Sequence, residues 1–434
     1  MKATFEEFNH PSHEDWIKAL EKEIKATPLE NVLTFQDAIE NLQLTTYKVS
    51  TPTYATNGEY PFTSSYFKTA QEWLIGVEIE VEDEISANTK ALELLEFGAN
   101  SLNFKFNSET IHLEVLLKDI HYEYVDLSFE VINQVQKDTI HEFFTLKSHK
   151  ALRFKHTPIS TEKVEEFSNY KSENSFLINA FECYERGANC TQELAYALSL
   201  GHEYLLKGIH PKSIHFQFGI GANYFVEIAK FRAFRTLWSS ILRSYSFADH
   251  ATYLVGKTGF VHRSINDPST NYVRQTIETL AGVLGGVNEI ITQPHDQLSS
   301  SGTSKVAERM AINCALLLQE EAHLRSLLDA YGGGHAIEEC THQLSEATWK
   351  QFKTIEQLGG ILSENGNNYL RNELIATRNF RLKRIIDKDQ TLIGVNNYFN
   401  QNTTSDFWLI PVDEVLGLKP LVLEYEYQLA TQEK

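Results

Sequence analysis

Apolar runs and helical patterns alternate along most of the chain. From residue 73 onward, eight short apolar runs are separated by segments whose apolar residues recur at three- and four-residue spacing. The strand-like runs are 73–81, 101–106, 122–129, 152–157, 176–183, 214–220, 252–257 and 289–293. The clearest helical segments are 191–206, 223–242 and 271–284. Eight strand and helix pairs of this size predict an α/β fold, a (β/α)8 TIM barrel of about 250 residues.

The pattern divides the chain into three parts. An N-terminal arm, residues 1–70, contains one amphipathic helix from His13 to Lys25. The barrel with its trailing helices covers residues 71–400 and closes with a helix over 341–358 and a strand-like run at 391–395. A short C-terminal tail covers 401–434. The arm has too few apolar residues for a core of its own, so we expect it to lie on its own barrel or, as we prefer, on a partner subunit.

Composition narrows the class of protein. The chain has 434 residues, of which 42% are hydrophobic and 22% charged, a balance typical of soluble globular proteins. Its net charge of -19 repels phosphate backbones and anionic membranes, so we expect no nucleic acid or membrane partner. No apolar run approaches the roughly 18 residues that cross a bilayer, and the first residues lack the apolar stretch of a signal peptide. Four cysteines without a CxxC pair indicate a reducing cytoplasm.

Short motifs of metal and nucleotide sites occur only in part. Three His-Glu pairs begin an HExxH zinc motif, but the fifth residue is never histidine; the pairs begin at His13, His141 and His202. The run from Gly219 to Tyr224 begins like a dinucleotide fingerprint that Tyr224 breaks, so we interpret its glycines as a tight turn. A possible set of metal ligands lacks a fourth member, so we expect no zinc: His335, Cys340 and His342.

Four segments follow one another along the chain: SIHFQFGIGANYFVEIAKFRAFRTLW, NYVRQTIETLAGVLGGVNEIITQPHDQ, ERMAINCALLLQEEAHLRSLLDAYGGGHAIEECTHQL and TLIGVNNY. In this order and spacing they resemble the adenosylcobalamin-dependent methylmalonyl-CoA mutase family. The resemblance covers most of residues 176–400 and extends more weakly to EWLIGVEIEV and to the arm around Trp16, Leu20 and Lys25. It implies a carbon-skeleton isomerase in which an adenosyl radical acts on methylmalonyl-CoA, with the cofactor carrying the chemistry. It also implies that acyl-CoA threads along the barrel axis. Whether side chains such as Phe216 and Phe218 fill that axis is left open.

The first departure from the family concerns cobalamin, which the family holds over the strand C-termini with a separate flavodoxin-like domain. The similarity ends near Tyr398 and leaves 36 residues, whereas such a domain needs on the order of 100. The family's DxHxxG loop, whose histidine binds cobalt, is also missing. Its nearest match begins at Asp119 and has Tyr124 in place of the glycine. We therefore expect this chain to bind no cobalamin.

The second departure concerns residues inside the barrel. The family's Ser-Gly-Tyr-His-Met run aligns with Asn179 to Cys183, so Phe181 and Glu182 stand where the family has Tyr and His. An ionised carboxylate offers no hydrogen to a migrating carbonyl and repels an anionic substrate. The family's Arg-Asn-Thr-Gln run begins here at Ile312, which removes a guanidinium. The Arg-Gly-Pro and Thr-Met-Tyr segment before the first strand is replaced by residues 51–54 and 59–63.

These departures predict the small, non-catalytic subunit of a heterodimeric methylmalonyl-CoA mutase. We expect degenerate positions at Phe181, Glu182 and Ile312, with no catalytic, cofactor or metal residue in this chain. Adenosylcobalamin would be bound by the large partner subunit. The alternative is an active acyl-CoA mutase barrel that uses a separately encoded cobalamin-binding protein, and a third possibility is a homodimeric barrel with a different ligand.

Overall fold

The computed structural model describes residues 12–24, 28, 34–45, 59–63, 73–145, 147, 151–156, 175–247, 251–399 and 414–432. Its centre is a closed barrel of eight parallel strands in the order β10-β3-β4-β5-β6-β7-β8-β9. The predicted α/β TIM-barrel class is confirmed, and each of the eight predicted runs contains a strand. The run at 391–395 does not form the predicted strand; it is a turn containing one isolated bridge.

Among the described residues, helices follow most strands of the barrel. The strands are β1 (Thr34–Asp37), β2 (Leu42–Thr45), β3 (Leu74–Val81), β4 (Ser101–Phe106), β5 (Asp126–Glu130), β6 (Ala151–His156), β7 (Ser175–Asn179), β8 (Ile214–Ile220), β9 (Leu254–Thr258) and β10 (Glu289–Ile291). The helices are α1 (His13–Ile24), α2 (Glu84–Glu96), α3 (Leu113–Leu116), α4 (Gln134–Phe144), α5 (Phe181–Glu185), α6 (Cys190–Leu206), α7 (Tyr224–Ser244), α8 (Pro268–Leu284), α9 (Lys305–Leu316), α10 (His335–Gln357), α11 (Glu364–Ile386) and α12 (Leu423–Gln432). None of the described helices is both long and apolar enough to span a bilayer.

Local sequence explains where the main helices begin and end. Asn189 caps α6 through a reciprocal capping box with Gln192. Asp267 caps α8, Pro268 takes its first position, where no hydrogen-bond donor is needed, and Gly285 ends it. These signals fix the ends of the helices. The helices lie on the outer side of the barrel, where their apolar faces meet the strands.

The core lies between the strands and the helices. The rings of Phe216 and Phe218 on β8 pack against Phe234 of α7, with centroids 4.6 and 4.7 Å apart. Trp238 lies beside Phe216 and donates its Nε1–H to Thr252 Oγ1 at 2.9 Å. Phe216 and Phe218 therefore face outward, which answers the question left open by the sequence: they do not fill the barrel axis.

Two described pieces of the arm lie on the chain's own barrel. The antiparallel hairpin β1-β2 places Glu40 where its carboxylate accepts the Cys190 N–H at 2.8 Å. Farther along the arm, the Arg235 guanidinium donates to the carbonyl oxygens of Phe62 and Thr63. Residues 51–54 lie outside the described part. In contrast, α1 has no buried residue among its described side chains.

Candidate functional site at the mouth of the barrel

The strands place polar side chains inside the barrel. In β3, β4 and β5 every second residue points to the axis, and these inward residues are polar or glycine, as in Gly76, Asn103 and Ser128. The residues between them, such as Leu102 and Phe104, are apolar and belong to the outer core. TIM barrels usually fill their interior with branched aliphatic side chains. A polar interior can accommodate either a polar ligand or a network of internal ion pairs.

At the amino-terminal end of the strands, here called the lower end of the axis, a network of internal ion pairs and hydrogen bonds crosses the barrel. We call this network the crossbar. The Glu289 carboxylate on β10 accepts hydrogen bonds from Ser101 Oγ at 2.8 Å, Asn103 Nδ2 at 2.9 Å and Tyr253 OH at 3.0 Å. Arg153 on β6 reaches it at 3.3 Å and also pairs with Asp126. Because β6 and β10 lie four places apart in a ring of eight strands, the Arg153–Glu289 pair spans the barrel diameter.

An apolar layer lies next to this polar crossbar. Leu177, Val255 and Ile291, from β7, β9 and β10, are buried and form one cluster, against which Tyr253 packs. The crossbar and this layer fill the lower axis, so the barrel interior is not an open channel.

Beyond the apolar layer, toward the carboxyl ends of the strands, lies a cup of about 390 Å³. Active sites of TIM barrels lie at this end. The Lys257 ammonium lies 2.5 Å from the Glu78 carboxylate and 4.2 Å from the centre of the Phe181 ring. Gln293 donates from Nε2 to Glu78 at 3.2 Å. The charges of this wall therefore neutralise each other.

The predicted residues Phe181, Glu182 and Ile312 all line this one cup. Glu182 accepts a hydrogen bond from Asn179 Nδ2 at 2.9 Å and forms an ion pair with Arg186. Phe181 and Ile312 are both buried and present apolar surface. The Glu182 carboxylate is therefore held by donors of this chain itself.

A second carboxyl of the same helix is held in the neutral form. Glu185 is 2% exposed, and its Oε1 accepts the Phe260 N–H at 2.9 Å. Burial raises its pKa to about 8, although the Phe260 N–H and the nearby Lys257 act in the opposite direction. At neutral pH Glu185 therefore carries a proton.

The described residues form no cluster of metal-ligating side chains that could hold a cofactor's metal. His121, the nearest sequence match to a cobalt-binding histidine, lies in the loop before β5, at the end of the barrel opposite the cup. Among the described residues, no three His, Cys, Asp or Glu side chains form a possible metal site. His335 and His342 instead face Glu339 and Glu346 of their own helix. No chemical step can be assigned to a cofactor held by these residues.

Sequence reasoning missed several residues of this end of the barrel. Lys257, Glu78 and Gln293 form the wall of the cup, and Arg186 neutralises Glu182. The available signal was the strict alternation in LIGVEIEV, SLNFKF and DLSFE, where the polar residues occupy the inward positions. The apolar residues of these runs indicate where the strands lie, and the polar residues between them indicate what lines the axis.

Fold and site together define an α/β barrel whose lower axis is filled by side chains and whose upper end forms a cup with internally paired charges. The family model of methylmalonyl-CoA mutase matches residues 128–417. The chain is 30% identical to the methylmalonyl-CoA mutase small subunit of Porphyromonas gingivalis, an alignment that covers 91% of this chain and 71% of that protein. The chain belongs to the methylmalonyl-CoA mutase family.

Other relatives match over shorter stretches. The large subunit of the P. gingivalis mutase is 29% identical over 62% of this chain and 39% of its own length. The methylmalonyl-CoA mutase of Rhizobium meliloti is 32% identical, and the chain spans about a third of it, 34%. Among solved structures, dihydropteroate synthase of Xanthomonas albilineans aligns with 58% of this chain at 10% identity and a TM-score of 0.33, which has no bearing on function.

Proposed function

We propose that this chain is the small, non-catalytic subunit of an adenosylcobalamin-dependent methylmalonyl-CoA mutase. In this proposal a large subunit binds the cofactor and performs the interconversion of methylmalonyl-CoA and succinyl-CoA in the cytoplasm, as part of propionate metabolism. Pairing is supported by the P. gingivalis relatives, which are named as a small and a large subunit and which both resemble this chain.

The observation that carries the proposal is the internal pairing of the cup. An acyl-CoA substrate is anionic, and it would need unpaired donors or cations at the mouth. Glu182 is instead paired with Arg186, and Glu78 with Lys257. Below the cup, Arg153 and Glu289 lie across the path that an extended ligand would follow. A barrel that neutralises its own interior supports a structural role.

Helix α1 supports contact with a partner. It is amphipathic, and Ile17, Leu20 and Ile24 on its apolar face are only half-buried, while Trp16 is exposed. A helix whose apolar face is only partly covered gains free energy by burying the remainder against another surface. We propose that α1 contacts the large subunit, while the hairpin β1-β2 stays on its own barrel.

The alternative, an active barrel served by a separately encoded cobalamin-binding protein, rests on the cup itself. Its volume of about 390 Å³ can hold a small polar group, and the protonated Glu185 offers a potential donor beside it. Binding of a CoA ester to the isolated chain, measured by calorimetry, would favour this alternative.

Co-expression with a large mutase subunit tests the proposal. We expect a 1:1 complex by size-exclusion chromatography, and formation of succinyl-CoA by the complex but not by this chain with added adenosylcobalamin. Ile17→Lys with Leu20→Lys should weaken the complex, because both lie on the apolar face of α1. Lys18→Glu, on the exposed face, is the matched control. Turnover by this chain without a second protein would contradict the proposal.

A further inference from the structure

The described part of the C-terminal tail, residues 414–432, lies across part of the barrel mouth, and these residues are hereafter called the tail. The Leu421 N–H donates to the Glu185 carbonyl oxygen at 2.6 Å, and the Leu423 N–H donates to the Val261 carbonyl oxygen at 3.1 Å. Glu185 follows β7 and Val261 follows β9, so these two bonds span the end of β8 between them. Pro420, one residue before, lines the cup. The tail therefore covers the β7–β9 side of the mouth.

Three consecutive aliphatic side chains pack the tail against the barrel. Leu421, Val422 and Leu423 are at most 1% exposed. Leu421 and Leu423 join a cluster that contains Phe181 and Tyr184. Val422 points to the other side and packs in a second cluster, formed by Phe260 and Leu298. Adjacent side chains of the tail thus fill apolar surface on both sides, just before and at the start of helix α12.

Polar contacts fix the tail before and after these residues. Arg378 of α11 donates to the Lys419 carbonyl oxygen and to the Glu426 carboxylate, both at 2.6 Å. Glu424, which is 1% exposed, accepts the Ile265 N–H at 2.8 Å. The tail is therefore bound along its length by helix α11 and by the loop after β9.

The tail also contacts helix α5 and Arg186, which line the cup. Arg186 donates from Nε to the Leu418 carbonyl oxygen at 3.3 Å, while its Nη1 pairs with Glu182. One guanidinium thus connects the tail to the carboxylate that stands in the cup, and Phe181 packs in the cluster that Leu421 completes. Displacing the tail would remove contacts from both Phe181 and Arg186.

We propose that residues 414–432 form an intramolecular cap that holds helix α5 and the following residues 186–187 in the wall of the cup and covers the β7–β9 side of the mouth. A domain or ligand from another molecule can dock on that side only by displacing the cap. This inference does not depend on the proposed subunit role, because it concerns contacts within one chain.

Hydrogen–deuterium exchange on the isolated chain tests the cap. One variant ends after Lys419, and a second, full-length variant carries Leu421→Asn and Leu423→Asn. We expect amide exchange in residues 181–187 to rise at least tenfold in both. A synthetic peptide of residues 420–432, from the segment that the shortened chain lacks, should bind that chain and restore slow exchange. The matched control is Leu429→Asn, at a residue of α12 that is 44% exposed, and it should leave exchange unchanged.

The outcomes separate cleanly. Unchanged exchange at 181–187 in the doubly substituted chain would overturn the proposal, whether or not the shortened chain folds. Failure of the peptide to bind a folded, shortened chain would also overturn it. None of these measurements involves a large subunit, so a failed cap and a failed subunit role give different results.

Discussion

The crossbar at the lower end of the barrel gives a quantitative prediction. Replacing Glu289 by alanine removes an acceptor that serves Ser101, Asn103, Tyr253 and Arg153 within a fully enclosed space. Breaking a buried ion pair by removing one partner costs about 3–5 kcal/mol, because the remaining charge stays buried. Each neutral donor left without an acceptor adds about 1–3 kcal/mol before relaxation. Asp126 still pairs with Arg153 and limits the loss.

We therefore expect Glu289→Ala to lower the free energy of unfolding by at least about 3 kcal/mol, a large share of the 5–15 kcal/mol typical of folded proteins. Glu289→Gln keeps the shape and one acceptor oxygen, so its cost should be smaller, about 1–3 kcal/mol. Urea unfolding, followed by tryptophan fluorescence and by circular dichroism, measures both.

A matched control separates burial from charge. Glu308 also forms an ion pair, with Lys90, but at the more accessible mouth of the barrel, where the Lys90 side chain is 32% exposed. Exposed or partly exposed pairs contribute about 0–1 kcal/mol, so Glu308→Ala should change stability little. Equal losses for Glu289→Ala and Glu308→Ala would refute the reasoning that the crossbar is a buried, structural network.

Three further predictions concern groups near the cup and behind it. Burial raises the pKa of Glu185 from 4.5 to about 8, so the free energy of unfolding should fall as pH rises from about 5 to 8, by up to about 1.4 kcal/mol per pH unit. Urea unfolding midpoints measured at three pH values should depend less on pH for Glu185→Gln than for the unsubstituted chain. Equal pH dependence of the two midpoints would contradict this. Lys230 is fully buried and lies 2.9 Å from Glu193, so Lys230→Met should cost about 3–5 kcal/mol, and a loss below about 1 kcal/mol would count against an essential pair. A β-carbon on Gly219 would lie 2.2 Å from the Tyr184 ring, so Gly219→Ala should destabilise the protein by about 1–3 kcal/mol in the same assay, and an unchanged midpoint would show that the ring can move.

The order of strands and helices could be predicted because it depends on local patterns. Buried runs and helix-ending glycines act within a few residues, and the segments 191–206 and 271–284 end at the same residues as the helices α6 and α8, although α8 begins three residues earlier than predicted. The prediction of a strand at 391–395 was wrong because hydrogen bonds of one side chain outweigh the apolar pattern of these residues. Asn396 Oδ1 accepts the Leu392 N–H, its Nδ2 donates to the Ile385 and Gln390 carbonyl oxygens, and Gly394 has a φ of +80°. These bonds close a turn.

The residues that line the cup and the pairing of their charges could be predicted from the sequence only in part. Alignment with a family pointed to Phe181, Glu182 and Ile312, and the structure brings them to one cavity. It could not indicate that Arg186 neutralises Glu182, because that pairing depends on the local helix α5 and on the tail carbonyl at Leu418. The tail is separated from this loop by more than 200 residues of sequence, a contact that no local pattern encodes.

The non-catalytic role is tested most directly by turnover of the assembled complex with Glu182→Ala in this chain. We expect a complex that forms normally and produces succinyl-CoA at the rate of the unsubstituted complex, since in the proposed assembly the reaction takes place in the other subunit. A loss of turnover of tenfold or more in an intact complex would contradict it, because a residue of this cup would then take part in the reaction.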